Sequence, residues 1–162
     1  MKEAVMKEEK YQIAQVNIAR MKDPIESPVM VEFVGLLDEI NELADRSPGF
    51  VWRLQTEEGD ATGYRPYEDD KILVNLSVWE TIEDLKNYVY KSAHGKVMQR
   101  RREWFEKFEG MYMVMWWVKA GHIPSVKEAK EKLEYLSEHG ESELAFTFKQ
   151  AFAAPNVVVN KY

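Results

Sequence analysis

Residues 72–79 read ILVNLSVW, and the alternation within this stretch is the main signal for the fold. One set of alternate positions is purely aliphatic and comprises Ile72, Val74, Leu76 and Val78. The other set is mixed and comprises Leu73, Asn75, Ser77 and Trp79. Strict alternation of this kind predicts a β-strand. The strand leads to Thr81 and Asp84, a variant of the capping box that predicts a helix.

Similar signals flank this segment on both sides. Strands are predicted over residues 11–21 (YQIAQVNIARM), 50–55 (FVWRLQ), 111–118 (MYMVMWWV) and, as a short last strand, 144–148. Further helices are predicted after Ser27-Pro28, from about His94 to Phe108, and between a Ser125–Glu128 capping box and Gly140. The order strand, helix, strand, strand, helix, strand, with one helix and one short strand appended, predicts an α+β fold. It is the ferredoxin-like split βαβ plan with an antiparallel sheet.

The two faces of this sheet need different covers. Both helices of a ferredoxin-like unit lie on one face, and we expect the aliphatic strand faces beneath them. The opposite face would carry Trp79 and more aromatic surface from residues 111–118. An apolar patch of that size rarely stays exposed. We therefore predict that the same face of a second subunit covers it in a two-fold homodimer.

Length and composition exclude several classes of protein. The 162 residues fit one domain, predicted at residues 11–150, between a mobile arm at 1–10 and a tail at 151–162. The net charge of −6 argues against a nucleic-acid surface. The lack of cysteine excludes disulfides and thiolate ligands and fits a cytoplasmic protein. The longest apolar run, at 111–118, is too short to cross a bilayer.

Strand parity places several polar and aromatic side chains together. Asn75, Ser77 and Trp79 share the mixed face of their strand, and Asn17 lies on the corresponding face of the first strand. Because these strands are neighbours in a ferredoxin-like sheet, we expect Asn17, Asn75 and Trp79 to converge as catalytic residues, with Ser77 as a substrate contact. Amide donors in a dry pocket can bind a developing enolate. The alternative is that the asparagines are buried structural groups.

His94 is the other candidate catalytic residue. It is predicted near a helix start, where the helix dipole favours the neutral imidazole that can act as a general base or metal ligand. The alternative is a capping or surface histidine. Arg101 and Phe105 recur with His94 at helical spacing, and we expect Arg101 to bind a carboxylate or phenolate. The three histidines are too dispersed to form a metal-binding motif.

Aromatic side chains complete the predicted pocket between sheet and helix. Trp52, Phe105 and Trp117 are candidate substrate contacts, since a pocket lined in this way suits a flat, apolar ligand. Successive residues of a strand face opposite sides, so Trp116 and Trp117 must separate.

Six segments together carry a family resemblance. They are YQIAQVNIARMKDP (11–24), SPGFVWRLQ (47–55), NLSVWETIEDLKNYVYKSAH (75–94), RRREWFEKF (100–108), MVMWWVKAGHIPSVKEAKEKLEYLSEHG (113–140) and LAFTF (144–148). In combination they resemble an uncharacterised bacterial family of the dimeric α+β-barrel superfamily, related in fold to antibiotic-biosynthesis-type monooxygenases.

The resemblance implies a set of possible functions. Cofactor-free anthrone oxygenases of the superfamily use asparagines on the first and third strands and a nearby tryptophan, which is similar to Asn17, Asn75 and Trp79 here. We therefore predict a cofactor-independent, monooxygenase-like enzyme acting on a small hydrophobic or aromatic substrate. One alternative is a haem protein with His94 as axial ligand, and another is a non-catalytic ligand-binding dimer. The sequence leaves open whether the chain is catalytic.

Overall fold

A computed structural model describes residues 10–55, 71–91, 99–107 and 111–155. Its strands are β1 (Tyr11–Arg20), β2 (Phe50–Arg53), β3 (Ile72–Trp79) and β4 (Met113–Lys119). Its helices are α1 (Pro28–Arg46), α2 (Ile82–Lys91), α3 (Arg101–Trp104) and α4 (Val126–His139), followed by a 3-10 turn at Phe148–Gln150.

The four strands form one antiparallel sheet in the order β2-β3-β1-β4. The two central strands, β1 and β3, place Asn17 opposite Asn75 and Ile13 opposite Trp79. This order and the alternation of helices with strands confirm the predicted α+β, ferredoxin-like fold.

Local signals start and end the helices as the residue types predict. The Ser125 hydroxyl accepts from the backbone N–H of Glu128 at 3.0 Å, and the Thr81 hydroxyl accepts from that of Asp84 at the same distance. Helix α4 ends at Gly140, whose φ of +77° is a conformation that glycine adopts without strain. Ser27 precedes Pro28 at the start of α1, but its side chain makes no capping hydrogen bond.

Helices cover both faces of the sheet, and the helices that lie on each face differ from those predicted. On the aliphatic face, Leu133 of α4 joins Val16 in one buried cluster. On the mixed face, Ala44 of α1 and Leu85 of α2 join Trp79 in a second one. The prediction that the aliphatic faces lie under α1 and α2 was therefore wrong. Alternation separates the two faces of a strand, but it does not specify which helix each face meets.

This arrangement also removes the reason given for a homodimer. Trp79 is only 1% exposed within its own chain, so it does not need a second subunit as cover. The homodimer itself stays a prediction.

Strand β2 contains an irregularity that changes the predicted faces. Phe50 pairs opposite Trp79, whereas Trp52 pairs opposite Val78, with a register shift between them. Phe50 and Trp52 therefore lie on different faces of the sheet, although simple alternation along the strand predicted at 50–55 would place them on the same face. A bulge inserts one extra residue and so reverses the parity of the residues beyond it.

Two further elements differ from the prediction, and residues 92–98, which include the predicted start of the helix at His94, lie outside the described residues. Helix α3 ends at Trp104, and Phe105 has extended backbone that forms a bridge with Met21. Pairing with the end of β1 thus replaces the helix predicted to continue to Phe108. In place of the short strand predicted at 144–148, Phe146 forms an isolated bridge with Met115 before the 3-10 turn.

The domain limits at residues 10 and 150 stay predictions, and residues 1–9 of the arm lie outside the described residues. Over the ranges that the structure describes, no helix is both long and apolar enough to span a bilayer.

Candidate functional site

Four polar side chains of β1 and β3 form a continuous hydrogen-bonded chain on the mixed face. We call it the amide cluster and define it as Gln15, Asn17, Asn75 and Ser77. Asn17 Nδ2 donates to Gln15 Oε1 at 3.0 Å. Gln15 Nε2 donates to Asn75 Oδ1 at 2.9 Å and to Ser77 Oγ at 2.8 Å. Sheet register explains this contact, because Gln15 pairs opposite Ser77 and Asn17 opposite Asn75.

Trp79 closes the inner end of the amide cluster. Its indole Nε1 donates to Ser77 Oγ at 2.9 Å. Its ring stacks on Tyr88 of α2, with centroids 5.0 Å apart, and meets the edge of Phe50 at 5.4 Å. Packing from two sides holds the indole in one orientation, so the direction of its N–H is fixed relative to the amide cluster.

Burial decreases along the cluster from Trp79 outward. Gln15 and Ser77 are 3% and 6% exposed, Asn17 is half-buried, and Asn75 is exposed. Beyond Asn75 on the same strand, Leu73 packs into a third apolar cluster with Trp104. The amide cluster is thus a polar strip between two apolar clusters, and solvent reaches it at Asn75.

The amide cluster is electrically neutral but borders an ion pair. Arg53, opposite Ser77 on β2, donates through Nε to Asp45 Oδ1 at 2.8 Å. Burial raises the pKa of the Tyr88 phenol well above its usual range, opposed by the Arg53 charge and reinforced by that of Asp45. Tyr88 therefore stays protonated and donates to the Ile40 carbonyl at 3.2 Å. It cannot serve as a base at neutral pH.

Four predicted site residues come together in the structure, namely Asn17, Asn75, Ser77 and Trp79. Trp117 belongs to the same buried region as Trp79, and its Nε1 donates to the Phe152 carbonyl at 2.9 Å. Trp52 packs in the cluster on the opposite face of the sheet. The structure therefore separates Trp52 from the amide cluster.

The remaining predicted residues lie elsewhere or outside the described residues. Phe105 packs edge-on against Phe33 of α1 in the third apolar cluster, with centroids 5.0 Å apart. Arg101 is exposed, with its guanidinium 5.9 Å from the Tyr112 ring. His94 lies outside the described residues, so both its role as a base and the haem alternative stay predictions.

Gln15 is the member of the amide cluster that the sequence analysis missed. It makes more hydrogen bonds than any other member of the amide cluster and is almost fully buried. The available signal was a long amide side chain between Ile13 and Asn17 on the mixed face of β1. A buried glutamine on a central strand needs polar partners, which lie on the same face of its own strand or of the neighbouring strands.

The other two histidines have structural contacts, as expected of dispersed residues. His122 Nε2 lies 2.8 Å from Glu128 Oε1, and His139 stacks on Tyr135 with centroids 4.1 Å apart. In the described part of the chain, no group of three or more potential ligands could hold a metal ion.

A shallow depression of about 270 Å³ lies on the other side of the sheet. Ile18 and Leu133 are among its lining residues, together with Lys130 and Glu134 of α4. Ile18 belongs to the aliphatic face, so the depression does not communicate with the amide cluster.

The fold and the amide cluster together define an α+β protein with a ferredoxin-like sheet and a polar strip beneath its helices. Residues 12–161 match the family described as "Domain of unknown function (DUF3291)", and the chain belongs to this family. A search of curated proteins found no match.

Solved structures with a similar fold include oxygenases. The cofactor-independent oxygenase SnoaB from Streptomyces nogalater is 15% identical, with a TM-score of 0.46 over 69% of this chain and 95% of its own. A candidate antibiotic biosynthesis monooxygenase from Nitrosomonas europaea is 16% identical, with a TM-score of 0.43 over 74% and 96%. A protein of unknown function from the same organism is 10% identical, with a TM-score of 0.45 over 72% and 98%. Similarity at this level does not establish a shared activity.

Proposed function

We propose that this chain is a cofactor-independent, monooxygenase-like enzyme whose amide cluster binds the carbonyl or phenolic oxygen of a small aromatic substrate. The observation that carries the proposal is the position of Asn75. Its amide is exposed, yet its Oδ1 is bonded to a buried chain that ends at Trp79. A donor held in this way requires little reorganisation when charge develops on a bound oxygen.

The surroundings of Asn75 suit an aromatic ligand. Apolar clusters lie on both sides of the amide cluster, one around Trp79 and one around Leu73 and Trp104. Trp79 and Trp104 are each 1% exposed, so the half-buried Leu73 is the apolar side chain next to Asn75 that a flat ring can contact while one of its oxygens meets the amide.

The reaction proposed is oxidation of a CH₂ group conjugated with a ring carbonyl. A base removes one proton, and the electron pair moves onto the carbonyl oxygen as an enolate, which the Asn75 Nδ2 group stabilises. The enolate gives one electron to O₂, and the two radicals combine to form a carbon–oxygen bond. Protonation gives a hydroperoxide, and loss of water leaves a new carbonyl. The sum is CH₂ + O₂ → C=O + H₂O, with O₂ as the oxidant.

The base for the first step is part of the proposal. Amide groups do not accept protons at neutral pH, and Tyr88 is held in its protonated form, so the cluster itself cannot remove the proton. His94 is the predicted base. Replacing His94 with alanine should lower the rate of substrate deprotonation while leaving binding of the substrate intact.

Oxygen consumption tests the proposal directly. Purified protein is mixed with 1,8-dihydroxyanthrone, and the rate above spontaneous oxidation is recorded with an oxygen electrode. We expect Asn75→Ala to lower this rate by about 10²–10³-fold, the usual effect of removing one oxyanion donor. Asn87→Ala, at an exposed position on α2, is the matched control and should leave the rate unchanged. Equal rates for wild type and Asn75→Ala would overturn the mechanism.

The absence of a cofactor, the homodimer and a cytoplasmic location belong to the same proposal. A Soret band after haem addition that His94→Ala abolishes would instead favour the haem alternative. Light scattering of the purified chain should give twice the mass of one subunit. Valine side chains exposed at the start of α1, namely Val29, Val31 and Val34, are the observation that favours such an association.

A further inference from the structure

We propose that Gln15 is the specificity-determining residue of this site, because it turns the Asn75 amide so that an N–H rather than a carbonyl oxygen faces the ligand. This inference rests on the proposed function, since it assumes that a ligand binds at Asn75. It goes further by naming Gln15 as the residue that fixes which end of the Asn75 amide meets the ligand, and that therefore limits ligands to groups that accept a hydrogen bond.

The orientation of the Gln15 amide follows from the neighbouring backbone carbonyl of Asn75, which can only accept a hydrogen bond. Its Nε2 lies 3.4 Å from the backbone carbonyl oxygen of Asn75, in addition to its bonds with Asn75 Oδ1 and Ser77 Oγ. A backbone carbonyl has no hydrogen to donate. If the Gln15 amide were turned over, two acceptor oxygens would face one another in a site where Gln15 is 3% exposed. The nitrogen of Gln15 must therefore point towards β3.

The orientation of the Gln15 amide determines the orientation of both asparagine amides. Gln15 Oε1 faces Asn17 and must accept from it, which explains the 3.0 Å bond from Asn17 Nδ2. Gln15 Nε2 donates to Asn75 and so requires an acceptor, which is Asn75 Oδ1 at 2.9 Å. The other end of that amide, Nδ2, is consequently directed away from Gln15. In the described part of the chain, Asn75 Nδ2 donates to no protein acceptor, and Asn75 is exposed.

Reversal of the Asn75 amide alone is unfavourable in this arrangement. The indole Nε1 is a donor only, so Ser77 Oγ must accept from it, whichever way Gln15 points. Ser77 then accepts a second bond from Gln15. Turning Asn75 alone would bring its NH₂ group against the NH₂ group of Gln15. The outward donor at Asn75 is thus a property of the whole cluster, with Gln15 as its centre.

The substitution Gln15→Glu should reverse the direction of the hydrogen bonds within the amide cluster. An ionised carboxylate only accepts. Ser77 would then donate its hydroxyl hydrogen to Glu at this position, and the Asn75 amide would turn so that Nδ2 donates inward and Oδ1 faces the ligand. Burial raises the pKa of a carboxyl group, so the variant is studied at pH 9, where the carboxylate is ionised.

The first test is neutron diffraction from a perdeuterated crystal of the wild-type protein, because neutrons distinguish ND₂ from oxygen. We expect the ND₂ group of Gln15 to point towards Ser77 and Asn75, and that of Asn75 to point outward. The opposite orientation of either amide would overturn the inference. This measurement requires neither a ligand nor a variant.

The second test compares the affinities of two neutral 1-substituted naphthalenes, measured by tryptophan fluorescence titration at pH 9. The acceptor probe is 1-acetylnaphthalene and the donor probe is 1-naphthylamine. One hydrogen bond gained or lost changes affinity by about fivefold. Wild type should prefer the acceptor probe by about fivefold, Gln15→Glu should prefer the donor probe by about fivefold, and Gln15→Met should show no preference.

The outcomes separate this inference from the proposed function. A purely structural role for Gln15 predicts that both variants weaken both probes equally, which would overturn the inference while leaving the proposed function intact. If wild type binds neither probe, the proposed ligand site is wrong, and neutron diffraction alone then decides the orientation of the amides. Should Gln15→Glu fail to fold, a wild-type preference that disappears in Gln15→Met still supports the inference, and a preference that persists overturns it.

Discussion

Trp79 and Ser77 are bonded to each other along β3: the indole Nε1 donates to the Ser77 hydroxyl oxygen at 2.9 Å, and both side chains are buried. The same oxygen accepts from Gln15 Nε2 at 2.8 Å. One small side chain therefore satisfies two buried donors from different strands. The Ser77 hydroxyl therefore links the apolar cluster around Trp79 to the amide cluster, which reaches solvent at Asn75.

Replacing Ser77 with alanine should leave Trp79 Nε1 without an acceptor and remove one acceptor of Gln15 Nε2, which keeps its bond to Asn75 Oδ1. A buried polar group that loses its partner costs about 1–3 kcal/mol, so we expect the free energy of unfolding to fall by about that amount. Equilibrium urea unfolding followed by circular dichroism measures it. Ser137→Ala on the exposed side of α4 is the control and should change stability by about 0.5 kcal/mol or less. Equal stability of Ser77→Ala and the control would contradict this role.

Glu128 should stabilise the contact between α4 and the sheet. Its carboxylate accepts from Trp116 Nε1 at 2.8 Å and lies 2.8 Å from His122 Nε2. Glu128→Ala removes the acceptor of a buried indole and should lower the free energy of unfolding by about 1–3 kcal/mol. Glu128→Gln keeps a carbonyl oxygen for Trp116 and should lose less. Glu131→Ala, exposed on the same helix, is the matched control for urea unfolding. The prediction fails if Glu128→Gln and Glu128→Ala are equally unstable.

Two glycines should respond to alanine in opposite directions. Gly49 has a φ of +82°, and a Cβ there would overlap the side chain of Asp84 at the start of α2. Gly49→Ala should therefore destabilise the protein by more than about 1 kcal/mol. Gly35 lies within α1 with open space around its Cα, so Gly35→Ala should stabilise by about 0.5–1 kcal/mol. Thermal unfolding of both variants against wild type checks the signs, and a shift in the same direction for both would refute the assignment.

Arg100 should produce a pH-dependent contribution to stability. Its guanidinium bonds Glu32 of α1 at 2.7 Å and Glu103 of α3 at 2.8 Å. Hydrogen bonds from Arg100 are the largest cause that holds the pKa of both carboxyl groups below the ordinary value of 4.5. A pKa that is depressed in the folded state contributes stability that is present above 4.5 and is lost as the pH falls through the folded-state pKa.

The measurement compares the Tm of wild type and Arg100→Gln from pH 7 to pH 3. The difference should be largest at neutral pH and shrink below pH 4.5 towards the part due to packing of Arg100 on the Trp104 ring, 4.8 Å away. Arg102→Gln, at an exposed position of α3, should show no such change with pH. A Tm difference for Arg100→Gln that stays constant down to pH 3 would exclude the ion pairs as its source.

Much of the fold could be predicted because its signals are local. Alternation in β3, the capping box at Ser125 and the glycine at 140 each act within a few residues, so they appear directly in the sequence. The same alternation placed Asn17, Asn75, Ser77 and Trp79 on faces that the sheet then brought together. What local signals could not supply was the register shift in β2, since a bulge depends on pairing with β3 and moves Trp52 to the other face.

The sequence by itself determined the four strands of the sheet, most helix boundaries, the antiparallel ferredoxin-like order and the shared face of Asn75, Ser77 and Trp79. These features depend on periodicity, turn residues and short-range hydrogen bonds, all of which act between neighbours in the chain. Only the tertiary structure decided that α1 and α2 cover Trp79 while α4 covers the aliphatic face. Only the tertiary structure made Gln15 the centre of the amide cluster, because two of its three partners, Asn75 and Ser77, lie on the neighbouring strand β3, and one, Asn17, lies two residues along its own strand. A hydrogen-bonded cluster of this kind exists only when the register between strands is set, and register is a property of the packed sheet.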